Sequence, residues 1–191
     1  MSLQSAGAAD FRRMARHPSA YAPTAAEVLN PAPPPPIARD PHPLLQAVLA
    51  HPDDDAPRFA YAQWIDAADP TRAEFIRLQL RGDPAALQLL EAHGPRWNAA
   101  FAPWGARDFM YRRGFVEGVS LTGRSFISLG ASLFEATPLR EVRLIAVAFL
   151  MDELIACPHL AKLEALDLRG NRIGEADAAR LRLAFPGRLM I

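Results

Sequence analysis

Four three-residue stretches in the second half of the chain have apolar residues at both ends, as a short strand with one buried face does. Val119-Ser120-Leu121 comes first, and Val142-Arg143-Leu144 begins 23 residues later. Leu166-Asp167-Leu168 begins 24 residues after the second stretch, and Leu189-Met190-Ile191 begins 23 residues after the third. Such constant spacing indicates a structural repeat, in which each unit buries its apolar edge against its neighbours.

The third stretch belongs to a longer motif, Leu163-x-x-Leu166-x-Leu168-x-x-Asn171-x-Ile173. Leucines at this spacing, followed by an asparagine, are the signature of leucine-rich repeats, which recur about every 20 to 29 residues. The turn Asn171-Arg172-Ile173-Gly174 and the apolar residues after it resemble the ribonuclease-inhibitor type of repeat. The preceding repeat is degenerate, because residues 145–149 have no asparagine at the corresponding place.

These patterns predict an α/β fold: a small helical N-terminal module packed on a short leucine-rich-repeat solenoid. The solenoid would occupy residues 103–191 and contain a parallel sheet of three to four strands. Apolar residues between the strand stretches predict helical returns on the convex side. They are Phe126, Leu129, Leu133, Phe134, Phe149, Leu150, Leu154, Ile155, Ala178, Leu181 and Leu183.

Side chains that alternate with the buried ones would face the concave side of this sheet. Three rows result: Gly118, Glu141 and Ala165; Ser120, Arg143 and Asp167; Thr122, Ile145 and Arg169. Because the rows mix charges, hydroxyl groups and one isoleucine, they are more typical of a protein contact than of a catalytic pocket. The predicted protein-binding residues are Ser120, Thr122, Glu141, Arg143, Ile145, Asp167 and Arg169.

Apolar residues recur at helical spacing in residues 44–102, which predicts a module of short helices. The first helix ends at His51-Pro52, and the second begins at Asp53-Asp54-Asp55. Asp69-Pro70-Thr71 breaks the second helix, and the third is predicted to run from Glu74 to Leu80. Residues 84–93 and 95–102 predict two further short helices.

The segment from His51 to Asp66, with Asp69-Pro70 and Ala73-Glu74-Phe75-Ile76-Arg77-Leu78-Gln79, resembles the bacterial repeat-companion domain. That family is a short helical module at the N-terminal side of leucine-rich-repeat proteins, and no biochemical activity is established for it. The resemblance covers about residues 43–81, and Gln63 stands where the family usually has an acidic residue. Arg113-Gly114-Phe115-Val116-Glu117 and residues 137–140 also resemble the segments on the C-terminal side of the module in such proteins. The resemblance implies a helical module beside repeats and adds no reaction.

Residues 1–43 contain nine prolines and few candidates for a core. Their composition predicts a tail that is largely disordered or bound to a partner. Phe11, Met14 and Tyr21 are its candidate docking residues, and a leader with no role is the alternative.

Basic and acidic residues balance at 21 each, so we expect neither nucleic acid nor a membrane as the partner. Aromatic residues and arginines do interleave in residues 103–115, a pattern found in single-strand nucleic-acid binding. A strand or loop that covers the first repeat is the other explanation, and we favour it. Cys157 is the single cysteine, and we find no secretory signal, so we expect a soluble cytoplasmic protein.

Two groups of residues are candidates for chemistry. Asp53-Asp54-Asp55 with His51 and Glu74 could form an oxygen-rich metal site, but helix capping also explains aspartates at this position. Cys157 and His159 could form a nucleophile and base, but no third member is marked by the pattern. We therefore expect no catalytic residues, no metal and no cofactor.

The sequence favours a non-catalytic protein that binds another protein, or acts as a scaffold, through the concave face. The alternative is an accessory subunit of a larger assembly, held by the Pro-rich tail and by the open edge of the last strand.

Overall fold

The computed structural model describes residues 42–191. The candidate docking residues Phe11, Met14 and Tyr21, and nearly all of the tail, lie outside this range. The described part of the chain is a mixed α/β structure with seven α-helices, two short 3-10 segments and one five-stranded sheet.

Four helices come first: α1 (Pro43–Ala50), α2 (Asp55–Ile65), α3 (Pro70–Leu80) and α4 (Ala85–Asn98). The side chain of Asp54 caps α2 by accepting from the Ala56 N–H at 2.9 Å, and that of Asp69 caps α3 by accepting from the Arg72 N–H at 3.0 Å. Helix α2 therefore begins where the aspartates predict. The predicted start of α3 at Glu74 is wrong, because Asp69 and Pro70 cap and begin this helix instead of breaking the chain.

The prediction of two short helices over 84–93 and 95–102 is wrong. One helix runs through Pro95, and a 3-10 segment, Ala99–Trp104, follows it. The residue before a proline normally leaves the helical region because its Cβ and N–H collide with the ring. Gly94 has no Cβ, so the helix continues.

The strands are β1 (Arg107–Arg112), β2 (Phe115–Thr122), β3 (Glu141–Ile145), β4 (Ala165–Asp167) and β5 (Arg188–Met190), and they lie side by side in chain order. Strands β2 to β5 are parallel, as predicted, while β1 pairs antiparallel with β2. The sheet thus has one strand more than the three to four expected. Helices α5 (Gly123–Ala136), α6 (Met151–Ile155) and α7 (Glu175–Ala184) connect the parallel strands.

The register of the parallel strands matches the repeat spacing. Gly118, Glu141, Ala165 and Arg188 are partners across four strands, and so are Ser120, Arg143, Asp167 and Met190. Thr122 pairs with Ile145, but Arg169 lies beyond the end of β4 and has no strand partner.

The main core lies between one face of the sheet and the connecting helices. Val119, Leu144 and Leu166 belong to it from the strands, and Phe126 and Leu181 belong to it from α5 and α7. Phe75 and Leu78 of α3 and Ala86 of α4 join the same cluster. A smaller cluster joins α1, α2 and α3 to Phe115 at the start of β2. The helical segment and the sheet therefore pack on a shared interior.

Within residues 42–191, none of the helices combines the length and the apolar character needed to cross a membrane.

Candidate interaction surface

The side chains of β2 to β5 that alternate with the core residues lie on the opposite side of the sheet, which we term the polar face. Its members are Gly118, Ser120, Thr122, Glu141, Arg143, Ile145, Ala165, Asp167, Arg169, Arg188 and Met190. The core helices pack on the other side, so the polar face is the broad surface on which successive strands place their side chains in rows.

Glu141 is a buried carboxylate held by two arginines. Arg112 of β1 donates to Glu141 Oε1 at 2.8 Å, and Arg188 of β5 lies 3.4 Å from the same oxygen. Ala165 lies between Glu141 and Arg188 in the row, and its side chain is small. Two guanidinium groups therefore converge above one carboxylate.

Asp167 is 2% exposed and is held mainly by Arg169. The Nε and Nη2 atoms of Arg169 donate to the two carboxylate oxygens at 2.9 and 2.7 Å, and the Arg169 backbone N–H donates at 2.9 Å. Burial raises the pKa of Asp167, but these hydrogen bonds and the charges of Arg169 and Arg143 outweigh it and hold the pKa below its usual value. Asp167 is thus kept ionised beneath the surface.

Four of the seven predicted binding residues have little exposed surface: Ser120, Thr122, Glu141 and Asp167. Arginines reach over two of them, since Arg112 and Arg188 contact Glu141 and Arg169 contacts Asp167. Thr122 instead caps α5, because its Oγ1 accepts from the Ser125 N–H at 3.0 Å.

The surface of the polar face is therefore formed by longer side chains. Arg143 is partly exposed, and Ile145 and Arg169 are exposed. Arg112 and Arg188 are 36% and 50% exposed and were missed. The row of Gly118, Glu141 and Ala165, extended by another 23 residues, identifies Arg188. No repeat signal identifies Arg112, which belongs to the antiparallel strand β1.

Asn171 fixes the loop that follows β3. Its side-chain amide donates to the carbonyl oxygens of Leu144 and Leu168, each at 2.8 Å, and its Oδ1 accepts from the Val147 N–H at 3.2 Å. These bonds satisfy backbone groups of two successive turns, which is the role expected of the asparagine in the repeat motif. Phe149 in the same loop is fully exposed, with a φ of 67°.

A second polar cluster lies where the helices meet the hairpin. The Arg113-Gly114 turn between β1 and β2 fits among Arg58, Arg72, Ile76 and Gln79, a group we term the turn socket. Arg72 donates to the Gly114 carbonyl oxygen at 2.6 Å, and Gln79 Oε1 accepts from the Gly114 N–H at 2.7 Å. Gly114 has a φ of 86°, and a Cβ there would lie 2.5 Å from Ile76. The turn therefore requires glycine.

Arg58 is completely buried at the centre of the turn socket. It donates to the carbonyl oxygens of Pro52, Arg112 and Arg113 at 2.7 to 3.2 Å and to Glu117 Oε1 at 2.7 Å. Burial raises the pKa of Glu117, and the charges of Arg58 and Arg113 oppose that rise. Arg58 thus connects α2 with both strands of the hairpin.

The aspartates considered as metal ligands are engaged in other contacts. Asp53 pairs with Arg140 at 2.6 Å and with Arg113 at 3.4 Å, and Asp54 caps α2. Within residues 42–191, three or more His, Cys, Asp or Glu side chains do not come together as a metal-binding group. Cys157 is buried in the main core, and the ring of His159 packs on that of Phe134 at 5.9 Å.

A cavity of about 340 Å³ lies beside α1 and the turn that precedes β3. Its charged lining residues are Arg140, Lys162 and Glu164. Arg140 is already hydrogen-bonded to Asp53 and Glu164, and Lys162 lies over the Phe134 ring at 5.2 Å. The cations at this cavity are therefore largely engaged within the protein.

Comparison of the chain with protein-family models, with curated proteins and with solved structures found no match.

Proposed function

We propose that this protein is a short leucine-rich-repeat protein whose first repeat is braced by a repeat-companion module. The constant spacing of the four strand stretches, the stacking of rows in the parallel sheet and the bonds made by Asn171 support this classification. The turn socket supports the pairing of module and repeats. Arg58 and Gln79 lie in the segment that resembles the companion domain, and Gly114 lies in the segment that resembles the stretch on the C-terminal side of that domain.

The proposed function is non-catalytic binding of another protein, or scaffolding, through the polar face in the cytoplasm. One observation carries it: four parallel strands in register place arginines with exposed guanidinium groups on the side of the sheet opposite the core. Interfaces are enriched in arginine and tolerate mixed polarity, whereas a small-molecule site needs a concave pocket. No reaction, metal or cofactor is part of the proposal.

Site-specific photo-crosslinking tests this function. A photoreactive amino acid replaces Ile145 on the polar face, and in a matched control it replaces Ala131, which is exposed on α5. After irradiation in a lysate of the source organism, we expect a defined protein adduct from position 145 and none of the same mass from position 131. Failure of position 145 to give an adduct, or the same adduct from both positions, contradicts the proposal.

A second candidate is an accessory subunit held by residues 1–43 and by the outer edge of β5. The position of β5 at the end of the strand order favours it, since an edge strand presents unpaired backbone groups. Deleting residues 1–43 distinguishes binding through the polar face from the accessory-subunit candidate. Retention of the position-145 adduct supports the polar face, and loss of the adduct with an unchanged thermal midpoint supports the accessory subunit.

A further inference from the structure

The arginines on or beside the polar face outnumber its carboxylates. Arg112, Arg143, Arg169 and Arg188 surround two acidic side chains, Glu141 and Asp167. Four positive charges against two negative charges leave this set with a net charge of +2. The chain as a whole is neutral, so the excess is a local property of this surface.

Burial separates the two signs of charge. The carboxylates lie beneath the surface, whereas Arg112, Arg169 and Arg188 are 36%, 44% and 50% exposed. A molecule that approaches the polar face therefore meets guanidinium groups first. Because each of these three is held by a buried carboxylate, its position is fixed before any partner arrives, which lowers the entropy lost on binding.

Arg143 lies at the centre of this set and makes none of the ion pairs found within the described chain. Its Nε atom is buried and has no hydrogen-bond partner among residues 42–191. The same holds for Oγ of Ser120, its register partner on β2. Arg143 as a residue is partly exposed, so its guanidinium, which makes no ion pair in the described chain, is suited to a charged group supplied from outside.

We propose that the polar face binds an acidic peptide segment of the partner protein. This inference rests on the proposed function and names the chemistry of the partner. The first carboxylate would lie against Arg112 and Arg188, which converge on Glu141, and the second would lie against Arg143 and Arg169. The planar guanidinium fork of Arg143, which makes no ion pair in the described chain, matches a carboxylate in shape and donor geometry, and the paired arginines offer their remaining N–H groups.

Strand geometry sets the spacing of the two acidic residues. Glu141 and Arg143 are alternate residues of β3, so the two arginine groups are about 7 Å apart along the strand. Alternate side chains of an extended peptide have the same separation and lie on one side of the backbone. The segment therefore carries acidic residues at every second position and runs along the strands.

Charge and composition favour a peptide over a nucleic acid. A polyphosphate strand is held by neutralising several phosphates at once, whereas this set of four arginines and two buried carboxylates has a net charge of only +2. Ile145 follows Arg143 on the same face and is exposed, which suits a neighbouring apolar side chain of a peptide.

Fluorescence anisotropy with three labelled probes tests the inference on the full chain. The probes are four Glu-Ser repeats, four Lys-Ser repeats and an eight-nucleotide oligothymidylate. We expect the Glu-Ser peptide to bind more tightly than either other probe and to weaken as salt is added. Absence of Glu-Ser binding overturns the inference, and tighter binding of the oligothymidylate overturns it in favour of a nucleic acid.

The double variant Arg143→Gln/Arg188→Gln locates the site. It removes two charges but leaves Arg112 on Glu141 and Arg169 on Asp167, so each buried carboxylate keeps an arginine. The matched control, Arg124→Gln/Arg182→Gln, removes two exposed arginines from α5 and α7. We expect the first variant to weaken Glu-Ser binding about tenfold and the control to change it less than about twofold. Equal affinities in both variants contradict the assignment.

Failure of this inference is distinguishable from failure of the proposed function. A position-145 adduct together with no Glu-Ser binding retains the polar face as an interface and rejects an acidic partner. Absence of the adduct rejects the interface itself.

Discussion

The turn socket and the polar face both join arginines to buried carboxylates, but they use the guanidinium groups differently. In the turn socket, Arg58 is 0% exposed and its partner outside the group, Glu117, is 1% exposed, and Arg58 also donates to three backbone carbonyl oxygens. On the polar face, the carboxylates are also buried but the arginines above them remain partly exposed. The first arrangement directs its hydrogen bonds inward, and the second keeps donors at the surface.

This difference separates stability from recognition. Removing a group from the turn socket leaves buried polar atoms without partners, which is among the costlier changes a protein can undergo. Removing an exposed guanidinium from the polar face costs little when the buried carboxylate beneath it keeps another arginine. The turn socket should therefore determine whether the protein folds, and the polar face should determine what it binds.

Arg58→Ala is expected to have the largest effect on stability. Glu117 and the carbonyl oxygens of Pro52, Arg112 and Arg113 lose their buried donor, and we expect the free energy of unfolding to fall by about 3 to 5 kcal/mol. Urea denaturation measures it. Arg77→Ala removes a partly exposed arginine that pairs with Asp66 and should cost less than about 1 kcal/mol. Similar losses in the two variants would contradict the role given to burial.

Gly114→Ala comes next and has a close control in Gly170→Ala. The two glycines have nearly the same φ, at 86° and 87°. A Cβ at Gly114 would lie 2.8 Å from the Ile76 Cα, whereas nothing lies within 4 Å of one at Gly170. We expect a loss of about 3 kcal/mol at position 114, from backbone strain and a clash, and about 1 kcal/mol at position 170, from strain alone. Equal losses by urea denaturation would show that the hairpin turn is not held in the turn socket.

Asn171→Ala tests the bonds that join the loop after β4 to the loop after β3. The change leaves the Val147 N–H and the carbonyl oxygens of Leu144 and Leu168 without their side-chain partner, so we expect a loss of about 1 to 3 kcal/mol. Hydrogen exchange should show faster exchange at the Val147 amide in particular. Unchanged protection of that amide would contradict the bond.

Acidification should act on the two regions with opposite signs. The pKa of Glu117 is raised, so the folded state takes up its proton first, and Glu117 favours folding as the pH falls through that raised pKa. The pKa of Asp167 is lowered by Arg169 and Arg143 despite its burial, so its contribution is lost as the pH falls below the ordinary aspartate value.

Urea denaturation between pH 3 and 7 or so therefore separates two variants. Relative to the parent, Glu117→Gln should lose more stability on acidification and Asp167→Asn should lose less. Parallel pH profiles for parent and variants would remove the electrostatic distinction between the two regions.

The rows of the polar face were predictable because the repeat spacing fixes strand register, and register fixes which side chains are neighbours. Their burial was not predictable, because Glu141 and Asp167 are covered by arginines whose reach no strand pattern encodes. The missed Arg112 comes from an antiparallel strand outside the repeat.

The turn socket was hidden for a different reason. Gln79 and Gly114 are 35 residues apart, and Arg58 and Glu117 are 59 apart. Contacts between residues so far apart in the sequence leave no local periodicity in it. The resemblance to companion modules put Arg58 and Gln79 in one segment and Gly114 and Glu117 in a later one, and it assigned them no contacts.

The most direct test is the unfolding free energy of Arg143→Gln/Arg188→Gln in urea. If the surface arginines serve recognition rather than folding, the variant should lie within about 1 kcal/mol of the parent. A loss as large as that caused by Arg58→Ala would show that the polar face is part of the structural framework, and the division between the two regions would be refuted.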